Sequence, residues 1–263
     1  RQKLYAFTMI FGYSRAPFVI HTTSMDQATV LICHVLAFHY FGGVPQEILY
    51  DNMKTAFIYD GMNEQWRPNK HLLSLAQHYG FTPRRCRVRR PQTKGKVERF
   101  IHYYENNFWI EHRGKALSLD ELNEAVLSWI SEINTQTIGG LNNSRKERFA
   151  HEAQFLTKLP PRPFDCRRPV QVRVSTEALV RVMSNWYSVD PSYIGQNVEY
   201  RVHPLTKETE VFYGEKLIRS FTVNLEERNQ RYYLPEHRTS LHELWRKQNR
   251  LIGATKRRHP LPE

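Results

Sequence analysis

Three prolines within four positions, Pro160, Pro161 and Pro163, split the chain into two stretches of different periodicity. Proline lacks an amide hydrogen and pushes the preceding residue out of the helical region, so neither a helix nor a sheet ladder runs through such a cluster. Beyond it come six short runs of alternating apolar and polar residues: PVQVRV, ALVRV, NWYSV, NVEYRV, ETEVFY and KLIRSF. Period-two alternation between turn residues reads as strands, and six of them in about fifty residues read as a small β-barrel over 166–222. A basic C-terminal tail with a short helix occupies 223–263.

Before the prolines, strand and helix patterns interleave. LYAFTMIFGYSR (4–15) reads as a buried strand, and FVIHTT (18–23), past Pro17, as its neighbour. Ser24 and Gln27 have capping-box spacing and open a helix that Gly42-Gly43 closes. EILY (47–50) is a short apolar strand ending at Asp51-Asn52. Asn69 caps a second helix, KHLLSLAQHY, which Gly80 ends; FTPRRCRV is extended, and a long helix runs from about Thr93 to Asn107. This β-β-α-β-α-β-α order predicts an α/β fold, a mixed sheet with flanking helices, over 1–112. Leu119, Leu122, Val126, Trp129, Ile130 and Ile133 at helical spacing, with a short helix in 141–160, make 113–165 a helical linker.

Composition narrows the function. Thirty-eight lysines and arginines against 26 acids leave a net charge of +12, which points to a polyanionic partner, nucleic acid first. An aromatic content of 13% excludes a disordered basic tail. No apolar run reaches the ~18 residues of a membrane span. Three cysteines (33, 86 and 166), far apart and with no CxxC, exclude a disulfide scaffold or cysteine-rich zinc knuckle and fit a reducing, cytoplasmic setting. The start at Arg1 rather than methionine suggests an internal fragment.

The basic charge is densest in RRCRVRRPQTKGKVER (84–99), which holds eight cations, Arg84, Arg85, Arg87, Arg89, Arg90, Lys94, Lys96 and Arg99, and one acid, Glu98. A segment of this density tracks a phosphate backbone, which an acid repels. A divalent metal is one reason for the acid, since carboxylates bind such ions and phosphoryl chemistry uses them. A plainer reading is an intrahelical pair, with Lys94 one turn before Glu98 and His102 one turn after, worth only ~0.2–0.5 kcal/mol. Asp51 is the second acid of interest. It ends a predicted strand, where α/β domains place ligand-binding residues, though Asp-Asn at a strand end is also an ordinary turn starter. Lys94 and Lys96 oppose the macrodipole at a helix start, and Gly95 between them weakens the helix. An external phosphate would satisfy both lysines; two solvated lysines at a loose helix end are the alternative.

GGVPQEILYDNMKT (42–55) and HYGFTPRRCRVRRPQTKGKVERFIHYYENNFW (78–109) resemble the core of DDE transposases and retroviral-type integrases, and the chain is most similar to the IstA-type transposases of bacterial insertion sequences. LYAFTMIFGYSR resembles that family's second core strand, and NWYSVDPSYIGQNVEYRV (185–202) its C-terminal β-barrel. The resemblance implies an RNase H-like catalytic core, Mg²⁺ (with Mn²⁺ substituting) and DNA strand transfer. Asp51 matches the family's second catalytic aspartate and Glu98 its glutamate, both as metal ligands. Asn52, Lys54, Arg84, Arg85, Arg89, Arg90, Lys94, Lys96 and Arg99 are the expected DNA contacts. Double-stranded DNA (transposon ends and target), further copies of the chain on paired ends and an AAA+ ATPase are the implied partners. The family's first catalytic aspartate belongs to a strand before 4–15, so residues 1–263 alone are expected to be inactive. An RNase H-like nuclease that does not join strands, and a non-catalytic DNA-binding module, are the alternatives.

Overall fold

A tight antiparallel hairpin opens the chain: β1 (Tyr5–Ile10) pairs with β2 (Pro17–Thr22) in the register Tyr5↔Thr22 to Ile10↔Pro17. In this computed structural model residues 3–50, 56–61, 65–86, 91–139 and 142–258 are described. The strand expected over 4–15 stops at Ile10 because the chain turns there. Phe11 N donates to Ala16 O at 3.0 Å, and Arg15 takes a left-handed φ of 63°. The chain divides into two compact units, Arg1–Cys166 and Arg167–Glu263.

In the first unit, α1 (Gln27–Phe41) follows the hairpin. Its cap is Asp26, whose Oδ1 accepts from Thr29 N at 2.8 Å. Ser24, expected to cap, instead donates its hydroxyl to Asp26 Oδ2 at 2.7 Å. The helix is apolar on most sides, and the packing explains why. Ala37 and Phe41 meet Phe11, Ala16 and Phe18 of the hairpin, while Leu31, Val35 and Phe38 meet a second cluster. That cluster is built from β3 (Glu47–Tyr50) and α2 (Lys70–Tyr79), through Ile48, Tyr50, Leu72, Leu75 and Tyr79. A helix buried on opposite faces needs no polar stripe.

β3 pairs in parallel with β6 (Thr82–Arg85), from Glu47↔Thr82 to Tyr50↔Arg85. The crossover between them contains α2 and a hairpin of β4 (Phe57–Asp60) and β5 (Gln65–Pro68) that the sequence pattern did not suggest. Ile58, Tyr59 and Trp66 there are 44, 54 and 45% exposed. With large apolar side chains turned to solvent, the inward–outward alternation that identifies a strand is missing.

The long helix α3 (Pro91–Tyr104) runs on through a π-helical turn, Glu105–Trp109, into α4 (Ile110–His112). Next comes α5 (Leu119–Thr135), opened by a full capping box of Ser118 and Glu121. Phe100, Tyr104 and Phe108 of this helix, with Leu122, Val126, Ile130 and Ile133 of α5, cover Val19 of β2. Phe18, next along β2, faces the α1 side. The β1–β2 ladder is therefore sandwiched between α1 and the α3–α5 pair, with period-two alternation along β2. Asn123 of α5 secures the strand like a neighbouring strand would. Its Oδ1 accepts from His21 N at 2.7 Å, and its Nδ2 donates to His21 O at 3.1 Å.

Helix α6 (Arg145–Glu152) and a 3₁₀ turn, Ala153–Phe155, lead back to the core. Val44 and Thr157 exchange backbone hydrogen bonds, each 2.9 Å. The approach is so close that a Cβ on Gly43 would lie 2.7 Å from Leu156 Cβ, which is why glycine stands there.

The second unit has two sheets where a barrel is expected. One is four-stranded, in the order β12-β11-β10-β7, from β7 (Pro169–Arg173), β10 (Asn197–Val202), β11 (Glu208–Tyr213) and β12 (Lys216–Thr222). The other is three-stranded, β13-β9-β8, from β8 (Leu179–Val182), β9 (Asn185–Ser188) and β13 (Arg231–Tyr232). Among the described residues no ladder joins the two into a closed barrel. The strands β8 and β9 are short because Ala178 and Met183, at φ 57° and 54°, turn the chain beside them. A shared core of Val174, Val180, Val182, Tyr187, Val189, Val198, Val211 and Val223 holds the sheets together. Arg219 of β12 adds a polar link, donating through Nη1 to the backbone oxygen and, at 2.9 Å, to the hydroxyl of Ser188. Helix α7 (Pro235–Arg258) ends the described chain. No helix among the described residues is long and apolar enough to cross a membrane.

Candidate active site

The parallel β3–β6 ladder is the frame of the candidate site, since Asp51 follows β3 in the chain and the helix that carries Glu98 follows β6. Tyr50, the last residue of β3, is buried, and its hydroxyl lies 3.0 Å from His34 Nε2. His34 Nδ1 lies 2.7 Å from Val30 O, which only an Nδ1–H can satisfy. Nε2 is therefore the acceptor, the Tyr50 hydroxyl donates, and the imidazole is neutral. Burial pushes its pKa down to about 4. This contact ties the end of β3 to α1. On the other side Cys86 N donates to Tyr50 O at 2.9 Å. The chain thus leaves β3 at Tyr50 and β6 at Arg85 side by side, the first leading to Asp51 and the second through the basic segment to α3.

Asp51, Asn52, Lys54, Arg89 and Arg90 lie outside the described residues, as does the side chain of Lys94. Glu98 is exposed on α3. The same helix seats Phe100 and Tyr104 in the core, so the carboxylate stands on a fixed element. Lys96 Nζ donates to Gly12 O of the β1–β2 hairpin at 3.0 Å, and Arg99 Nε to Gly95 O at 2.7 Å. At 3.6 residues per turn Lys96 and Glu98 are about 200° apart round the helix, whereas Lys96 and Arg99 are about 60° apart. The structure therefore does not bring Lys96 together with Glu98; it turns Lys96 to the hairpin. Two cations that sequence reasoning missed, Arg15 and Arg148, stand on that hairpin side, and no local motif signals them.

Arg84 forks onto Glu47 Oε1 across the β3–β6 ladder, through Nε at 3.1 Å and Nη2 at 2.8 Å. Both side chains are exposed, so the pair contributes little stability and does not bar a phosphate. Arg85 stacks its guanidinium on Trp66 of the β4–β5 hairpin, 4.0 Å from the ring centroid. Among the described residues no three metal-ligating side chains form a cluster. Of the two expected ligands only Glu98 lies within them. Two hard carboxylate donors match the chemistry of Mg²⁺.

Residues 1–91 match the integrase core domain model, and residues 159–234 match the Mu transposase C-terminal domain model. The chain is 34% identical over 210 residues to the transposase for insertion sequence element IS21 of Pseudomonas aeruginosa, covering 80% of this chain and 53% of the relative. It is 39% identical over 168 residues to the transposase assigned to insertion sequence element IS5376 of Geobacillus stearothermophilus, covering 62% and 40% respectively. The chain thus spans about half the length of the relatives it matches. Among solved structures, one of a simian T-cell lymphotropic virus intasome with PP2A regulatory subunit B56 gamma aligns with a TM-score of 0.45 at 13% identity, over 83% of this chain and 73% of that one. The chain thus carries an integrase core domain followed by a Mu transposase C-terminal domain, and over most of its length it is similar to the transposases of bacterial insertion sequences.

Proposed function

We propose that this chain carries the catalytic part of a transposase that joins transposon DNA ends to target DNA, with Asp51 and Glu98 as paired acids in an RNase H-like core. The observation that carries the reading is the parallel β3–β6 ladder, where Tyr50 and Arg85 are partners. The strand end that leads to Asp51 and the strand end that leads to the Glu98 helix lie next to each other. Mg²⁺ held by these carboxylates would supply Lewis-acid activation of an attacking hydroxyl and of the leaving oxygen. The chain's own residues do the rest. Asn52, Lys54, Arg84, Arg85, Arg89, Arg90 and Lys94 bind and orient the phosphodiester, which multiplies rate by holding the in-line geometry. Work on paired ends by several copies, and an AAA+ ATPase helper, belong to the same proposal.

The test is a strand-transfer assay with pre-cut ends, performed on the full-length protein that contains these residues. Asp51→Asn and Glu98→Gln should each abolish joining while duplex binding stays near wild type. Substantial joining by Glu98→Gln in Mg²⁺ would refute the assignment. Cleavage without joining by the unsubstituted protein would make it a nuclease instead.

A further inference from the structure

The turn of the first hairpin breaks a local rule. Glycine is the default residue at a left-handed turn position, yet residue 15 is an arginine at φ 63°. A side chain in that conformation costs ~1–2 kcal/mol. The turn is also held from outside by charged groups. Glu152 of α6 accepts from Tyr13 N at 3.2 Å and Ser14 N at 2.8 Å. Arg148, one turn earlier on α6, donates to Tyr13 O through Nη2 at 2.8 Å and stacks on the Tyr13 ring, 4.0 Å from its centroid. Lys96 reaches in from α3 to Gly12 O at 3.0 Å.

Arg15, Lys96, Arg99 and Arg148 consequently share one neighbourhood, with Glu152 the carboxylate among them. Burial first, then Arg99 and Arg148, hold the Arg15 guanidinium below its usual range, and Glu152 opposes them. Lys96 is lowered by burial, then by Arg15, and less by Arg99, again against Glu152. Arg15 Nη1 is shut off from solvent and has no hydrogen-bond partner among the described residues. Packing orders this side chain; a protein acceptor on Nη1 does not. Among the described residues four cations gather at this turn around the single carboxylate of Glu152, an excess of positive charge that an external anion offsets.

We infer that the β1–β2 turn, with Arg15 at its centre and Lys96, Arg99 and Arg148 around it, is a second phosphate-binding site that grips the backbone of duplex DNA. Lys96 at its rim points about 200° round α3 from Glu98, so the turn presents a face of its own to the duplex. Tyr13, 51% exposed and backed by Arg148, borders it. The site deepens the proposed function and rests on that reading.

Arg15→Gly separates binding from folding, because glycine suits φ 63° and removes the charge. The readout is affinity for a duplex oligonucleotide of arbitrary sequence across a salt series. Loss of one phosphate contact lowers the log–log slope by ~0.9, so the wild-type advantage shrinks about 3.5-fold between roughly 50 and 200 mM salt. Arg15→Gly and Arg15→Gln should both show this, Arg15→Lys should restore the slope, and the melting temperature of Arg15→Gly should not fall. A wild-type slope in both Arg15→Gly and Arg15→Gln overturns the inference. If Glu98→Gln still loses joining in that case, only the turn site falls. If the unsubstituted chain shows no salt-dependent duplex binding, the proposed function falls with it.

Discussion

His34 offers a titration that reads the anchoring of the candidate site directly. Its ring is 2% exposed, donates to Val30 O and accepts from the Tyr50 hydroxyl. In the folded chain its pKa is about 4, against an ordinary 6.5. As pH falls, the unfolded chain therefore takes up this proton first, and folding is penalised. The stability contributed by the neutral ring is complete above about pH 6.5 and lost as pH falls through about 4. The interval is about 2.5 pH units, so at ~1.4 kcal/mol per unit the full loss is roughly 3 kcal/mol. Of this, ~2.5 kcal/mol should already be gone at pH 4.5. Carboxylates and the other histidines titrate over the same range, so the measurement is a difference. Urea unfolding of wild type and His34→Leu is compared from pH 7 to pH 4.5. The variant starts lower, since Tyr50 loses its acceptor, but its deficit should shrink by roughly 2.5 kcal/mol on acidification. A deficit that stays constant to within about 1 kcal/mol would show that His34 is not held neutral by burial.

Two further outcomes test the packing. Asn123→Ala strips His21 of partners for its backbone N–H, its backbone carbonyl and its ring Nδ1. It should cost ~3 kcal/mol, or roughly 6–12 °C in the melting of the first unit, and a loss below ~1 kcal/mol would mean that water replaces the amide easily. Cys33 and Cys166 are buried, with thiols pushed up to about 12 by burial. Neither should react with a disulfide reagent at neutral pH until denaturant is added, and labelling of the folded chain within minutes would contradict the packing around α1.

What the sequence made legible follows the strength of the local signal. Asn69 and Gly80 bracket α2 as expected, because a cap and a left-handed stop each act within a few residues. Ser118 and Glu121 do the same for the start of α5. Asp26 displaced Ser24 as the cap of α1 because two capping residues only two positions apart compete and only geometry decides. The β4–β5 hairpin left no alternation to read, since its aromatics face outward. Two separate sheets and a closed barrel share one alternation pattern, so the strands of the second unit were visible and their closure was not. At the candidate site, an acid in a cationic run singles out Glu98 as a candidate, and the structure shows it exposed on α3. The turn cluster was hidden because Lys96 contacts Gly12 across 84 positions and Arg148 contacts Tyr13 across 135.

One physical device recurs at both ends of the proposed acid pair, and it links fold to chemistry. Asp51 directly follows Tyr50, whose hydroxyl meets Nε2 of the buried His34 at 3.0 Å. Glu98 shares a helix with Tyr104, whose hydroxyl meets Nε2 of the buried His21 at 2.6 Å. His21 Nδ1 lies 3.1 Å from Asn123 Oδ1, which accepts its proton, so Nε2 is again the acceptor. Burial holds the His21 pKa below its usual value, as it does for His34, and holds Tyr104 above. A neutral histidine that accepts from a tyrosine satisfies two polar groups without placing a charge inside the core, where a lysine–carboxylate pair would pay heavily for desolvation. It also fixes two aromatic rings at defined angles, and through them a strand end and a helix face. Carboxylates that must share small, hard cations within tenths of an ångström need such rigid supports. The apolar clusters alone would keep these elements packed; the two tyrosine–histidine contacts set their register against α1 and β2.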